Sequence, residues 1–172
     1  MECQQLLIDV FEGILKTLEK ALTGLTETEL NNQPNADCNS IGWLTWHLTR
    51  TQDRAIANLT GKNQVWIENE WYKKFNRSAD PGDTGFGHTS ADVSSFKSPD
   101  VSILLDYYKA VFECSKIYLS GLTLSELGRK TEHPKFTTVG AWLGALLSDN
   151  LQHTGQIAYL RGLIKGKGWL GA

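Results

Sequence analysis

The chain has 172 residues, 41% hydrophobic and 21% charged, and its 17 basic and 19 acidic side chains leave a formal net charge of −2. That length can bury one core without staples. The even charge excludes the basic stripe of a nucleic-acid binder and the polybasic segment that reads an anionic membrane, leaving a small neutral molecule, or one bound by a local site, as the expected partner.

Four segments carry the three-to-four-residue apolar spacing of helices. The first runs from Glu2 to Thr23, with Leu7, Val10, Phe11, Ile14, Leu18 and Ala21 on one stripe and Gly24 as its stop. A short polar link, Thr26 to Asn39, leads to the second, which is capped by Asn39 or Ser40. It runs to Thr60 before Gly61, with Ile41, Leu44, Leu48, Thr51, Ala55 and Leu59 inside and His47 on the flank of that stripe. A long connection from Gly61 to Ser98 follows, holding a short helix over 64–74 and the glycine-rich DPGDTGFGHTS. Ser98-Pro99-Asp100 announces the third helix, with Ser98 as cap and Pro99 in the first turn. The fourth starts at Thr137 or Thr138 and runs to Ile164. No strand alternation is sustained. The expectation is one all-α domain over 1–172, a four-helix bundle with a long crossover between its second and third helices.

Three cysteines, Cys3, Cys38 and Cys114, are odd in number and form no CxxC pair, which argues against a disulfide framework and for a reducing compartment. The N-terminus carries acids where a secretory signal needs a basic start. With no run of about 18 apolar residues, the expected location is cytoplasmic.

The fourth helix contains the most informative residues. Its inner seam reads Val139, Trp142, Leu146, Asp149, His153, Gln156, Leu160 and Leu163, each step three or four residues. An acid, a histidine and an amide at the middle of an apolar seam must be hydrogen-bonded or must hold a metal. Asp149 and His153, four apart, can reach a common point. His47, on the inner side of another helix, is the candidate third ligand. Such a set suits zinc, iron, nickel or manganese and leaves positions open for water or substrate. The alternative is a hydrogen-bonded core cluster in which Asp149 and His153 pair with each other, or with Tyr108 or Tyr118. Gln156 would orient a ligand or bound water and His88, in the GFGHT loop, would close over the site; these are the candidate catalytic groups. Trp43, Trp66 and Trp71 are candidate substrate walls, with Trp66 and Trp71 alternatively capping one end of the core. Arg50 and Arg161 are candidates to hold an anionic group, though surface salt bridges are their commoner use. His133, before Pro134 in a polar connection, is expected to be structural or exposed.

The strings NSIGWLTWHLTRTQD, VWIENEWYKKF, GFGHT and LLSDNLQHTGQIAYLRGL resemble the DinB-like superfamily over nearly the whole chain. The branch most resembled contains mycothiol-dependent maleylpyruvate isomerase N-terminal domains and bacillithiol S-transferases. WHLTR and QHTGQ are the most specific parts. The resemblance implies a four-helix bundle with a long second crossover. It also implies a divalent metal held by one histidine of the second helix and two of the fourth. Those positions fall on His47, His153 and Asp149, the last a carboxylate where the family has an imidazole. Related sequences often carry a further histidine after TQD, where this chain has Arg54 and Ala55. The implied activity is metal activation of a low-molecular-weight thiol for transfer or isomerisation, or metal-dependent hydrolysis, in a homodimer. A non-enzymatic binding or stress-response protein, or a degenerate relative that binds no metal, is the rival reading.

Overall fold

Side-chain caps set the starts of three of the four long helices in the computed structural model, which describes residues 3–170. Nine helices lie among these residues: α1 (Cys3–Leu22), α2 (Glu27–Leu30), α3 (Ile41–Thr60), α4 (Val65–Glu68), α5 (Trp71–Lys74), α6 (Ser90–Ser95), α7 (Val101–Ser120), α8 (Leu124–Gly128) and α9 (Val139–Lys165). The expected start of α1 at Glu2 lies outside the described residues. The Ser40 hydroxyl accepts from the Trp43 amide at 3.2 Å, and Thr138 serves the Ala141 amide in the same way. Gly61, at φ 69°, ends α3 in the left-handed region. At α7 the cap is Asp100, whose carboxylate takes the Ile103 amide at 3.0 Å. Ser98 therefore does not cap this helix, and Pro99 precedes the cap instead of sitting in the first turn.

The four long helices make an all-α bundle in which α3 packs on α7 and α9, and α1 packs on the same two. Consecutive helices α1 and α3 therefore sit diagonally. His47 meeting His153 and Thr51 meeting Asp149 show that α3 and α9 run antiparallel. Phe11, Leu18, Leu22, Ile41, Leu48, Tyr107, Tyr108, Val139 and Ile157 are fully buried between the helices. Among them runs a polar chain: Asn150 donates to Gln52, Gln52 to Ser115, and Ser115 to the Val111 carbonyl, each at 2.8 Å. Nearly every polar group in that chain has a partner, as its burial requires.

From Ile41 to Arg50 every residue of α3 is buried, far more than one stripe. Its outer side is covered by the crossover between residues 61 and 100, which approaches so closely that a Cβ on Gly42 would collide with the Ser98 side chain. The short helix expected over 64–74 is two, α4 and α5, broken at Glu70 with φ 54°. Arg50 anchors this covering. Its guanidinium donates to the carbonyls of Asp83, Asp80 and Pro81, to Gln64 and to the Tyr107 hydroxyl. It also lies 4.5 Å over the Trp66 ring. Beside it Asp53 accepts from the Val65 and Trp66 amides and from Tyr107. No helix among the described residues is long and apolar enough to cross a membrane.

Candidate metal centre

His47 is placed by α3 and oriented by the crossover. Its Nδ1–H donates to the Thr84 carbonyl at 2.5 Å, which leaves Nε2 as the lone-pair nitrogen. Trp43 stacks on the imidazole with centroids 4.8 Å apart and planes 9° from parallel. Gly85 makes this approach possible. At φ +84° it lies against three aromatic rings, and a Cβ there would come within 2.8 Å of Trp43, 2.9 Å of Trp46 and 3.1 Å of His47 Nδ1. Burial is the main influence on His47 and lowers its pKa, against the Thr84 bond that would raise it. The ring is therefore neutral at pH 7 and free to offer Nε2.

Opposite, α9 presents Asp149 and His153 one turn apart. His153 Nε2 lies 3.3 Å from Asp149 Oδ1, and His47 Nε2 lies 4.0 Å from Asp149 Oδ2. His153 Nδ1 donates to Gln156 Oε1 at 2.8 Å, so Gln156 fixes this ring as Thr84 fixes the other. Burial alone would depress His153, but the hydrogen bonds of Asp149 and Gln156 outweigh it and its pKa is raised. Burial likewise opposes ionisation of Asp149, yet His153, His47 and Thr51 hold it below the ordinary carboxylate value.

One ligand atom from each of the three residues lies within 4.8 Å of the other two. The edge of a tetrahedral site with bonds of about 2.1 Å is about 3.4 Å, which the 3.3 Å separation within α9 already matches. The donor set therefore fits a divalent ion: two Nε2 atoms with their far nitrogens held, and one carboxylate, with the proton that Asp149 favours on His153 Nε2 leaving as an ion binds.

The cluster does not lie at the centre of the bundle as the inner seam implies. The buried face of α9 is Val139, Leu143, Leu146, Asn150, Thr154, Ile157 and Leu160, so the deeply buried polar residues are Asn150 and Thr154. Asp149 and His153 are half-buried on the flank, and Gln156 and Leu163 are exposed. This flank opens onto a cleft of about 420 Å³ lined on one side by His47, Thr51 and Asp149. Its far side is the 130–138 loop, pinned by the Lys130–Thr138 bridge and contributing His133, Lys135 and Phe136.

Several candidate site residues lie elsewhere. Arg50 is fully buried with its donors taken by acceptors of the crossover and by the Tyr107 hydroxyl of α7, so it cannot hold a substrate group. Trp66 and Trp71 are buried beside Tyr107, away from the cleft lining. Trp43 backs His47 without lining the cleft. His88 is pinned behind it: Nδ1 accepts from Trp43 Nε1 at 3.2 Å, and Nε2 lies 3.2 Å from Asp83. It secures the loop that carries Thr84 and does not cover the triad. The cleft's Arg54, Phe86, His133, Lys135, Phe136 and Trp142 carry no sequence signal as a wall, because they converge from three separated segments.

Residues 11–157 match the family model of the DinB superfamily. The chain belongs to the DinB superfamily. A crystal structure described as that of a conserved protein of a locus from Enterococcus faecalis is similar to it at a TM-score of 0.87 and 25% identity, covering 97% of this chain and 99% of that one. No curated protein matches the chain. This DinB-superfamily bundle thus carries a His47–Asp149–His153 cluster able to hold a metal.

Proposed function

We propose that the protein is a metal-dependent enzyme whose His47, Asp149 and His153 hold a divalent ion, zinc, nickel, iron or manganese, and whose reaction is transfer to or from a low-molecular-weight thiol. Hydrolysis, with water in place of the thiol, is the related alternative. One observation carries the reading: both histidines have Nδ1 tied to a fixed acceptor, Thr84 or Gln156, so that both Nε2 atoms converge with one carboxylate. Such far-side partners are what orient histidine ligands and raise their basicity. A bound ion supplies a lowered pKa to a thiol or water placed on it. The chain's own residues do the rest. Gln156 sets the direction of His153, the Trp43 stack prevents His47 from turning, and the cleft bounded by Phe86, Phe136 and Trp142 receives the substrate body and keeps water from it.

The test is elemental analysis of protein purified without an affinity tag, beside the His153→Ala variant. Near-stoichiometric metal in the first and none in the second is expected, followed by a thiol screen on the loaded protein. Equal metal content in both would remove His153 from the site. A protein that neither retains nor takes up ions would leave the triad as a hydrogen-bonded cluster.

A further inference from the structure

We infer that the cleft beside the triad is a carboxylate-binding site, taking small organic acids with an apolar or aromatic body. The inference names the substrate class for the reaction proposed above and rests on that reading for the reacting end alone; the acid-binding wall stands independently of any metal.

The cleft's charge is unlike the chain's. The protein as a whole carries −2, whereas the lining has two permanent cations, Arg54 and Lys135, against one carboxylate, Asp149. That carboxylate is engaged with His153 and His47. Neither Arg54 nor Lys135 forms a salt bridge among the described residues; Lys135 lies only over the Phe86 ring, 5.7 Å from its centroid. Two uncompensated cations at one cleft with low-dielectric aromatic walls concentrate a positive field there.

His133 adds a fixed donor. Its Nδ1 accepts the amides of Lys135 and Phe136 at 3.1 and 3.2 Å, which places the ring proton on Nε2. Packing against Phe136 and Trp142, both 4.6 Å away, holds the ring in place. A guanidinium, an ammonium and an imidazole N–H on one cleft lining are donors of the kind that a carboxylate takes. Phe86, 81% exposed at the mouth, and the Phe136–Trp142 wall offer apolar surface to the rest of the molecule, in a volume ordinary for small ligands.

The test is calorimetric titration of phenylacetate and its uncharged amide, phenylacetamide, into wild type, Arg54→Gln, Lys135→Gln and the double variant. Each is measured both after chelator treatment and after loading with zinc. The metal-free wild type should bind the acid more tightly than the amide. Each single variant should lose about ten-fold in acid affinity and leave the amide unchanged, with melting curves and metal content at wild-type values. Any of these results would overturn the inference: equal binding of acid and amide, acid binding that survives in the double variant, or inorganic phosphate binding as well as phenylacetate. Acid binding that appears only with zinc and ignores the variants belongs to the metal, and also overturns it. Failure to retain zinc while acid selectivity persists would refute the proposed chemistry and leave the carboxylate site standing.

Discussion

Replacing Gly85 by alanine perturbs the joint between crossover and candidate metal centre. Two costs can be worked from the geometry. At φ +84° an L side chain adds about 1–2 kcal/mol of backbone strain. The new methyl also meets Trp43, Trp46 and His47 at 2.8, 2.9 and 3.1 Å, overpacking that costs about 1–3 kcal/mol. Gly87 provides the control: its φ is +83°, yet nothing lies within 4 Å of its added Cβ, so Gly87→Ala carries strain alone. The difference between the variants, about 1–3 kcal/mol, corresponds to roughly 2–12 °C in melting temperature for a chain of this size. Thermal unfolding by circular dichroism measures it, and a metal titration asks whether moving the Thr84 carbonyl also weakens the site. If Gly85→Ala and Gly87→Ala melt together, the close packing of this loop on His47 is not a source of stability and the reasoning fails.

Further outcomes follow from single contacts. Gln156→Leu, at an exposed position, should melt like wild type yet bind metal about 10–100-fold more weakly through the loss of His153's acceptor; unchanged affinity in a metal titration would deny Gln156 that role. Asp53→Ala leaves Arg50 buried without its carboxylate and frees two α4 amides, so denaturant unfolding should show a loss of about 3–5 kcal/mol, and a loss under about 1 kcal/mol would contradict the anchoring role. Burial opposes ionisation of Asp83, but Arg77, His88 and the Gly85 amide hold its pKa below the ordinary value. Its stabilisation is therefore complete above about pH 4 and disappears as pH falls through the folded value; Asp83→Asn should flatten the acid side of the stability curve, and an unaltered curve would contradict this assignment.

The four long helices were legible because their signals are local. Ser40 and Gly61 bracket α3, and Thr138 opens α9, each by bonding within its own turn. The register of α9 was not. Trp142-Leu143, Leu146-Leu147 and Leu163-Ile164 are adjacent apolar pairs, and they support two frames one residue apart almost equally. Only the packing of α1 and α3 against α9 selects the frame that buries Asn150 and Thr154 and moves Asp149 and His153 to the flank. His47, Asp149 and His153 still come together in either frame, since a shift of about 100° moves the cluster sideways without separating residues four apart. Arg50 could not be read correctly, because its acceptors are carbonyls at 80, 81 and 83, and no residue-type pattern records where a loop's carbonyls point.

Asp149 links the two proposals. The DinB resemblance implies an imidazole at its position, and three neutral imidazoles leave the full +2 of a divalent ion to face the cleft. With a carboxylate the loaded site carries +1, a weaker attraction for an anionic substrate and a less acidifying environment for a bound thiol. Arg54 and Lys135 line the same cleft, neither in a salt bridge among the described residues, and add two positive charges to its wall. On the proposed reading they restore part of the field that the carboxylate removes, from the cleft wall instead of from the ion. On that account the cations and Asp149 act as a compensated set. Asp149→His should tighten acid binding in the zinc-loaded protein and leave it nearly unchanged after chelation, where titration calorimetry sees the wall alone. An equal gain in both states would mean that Asp149 repels the acid directly, and that the division between a reacting end and an acid-binding wall is wrong.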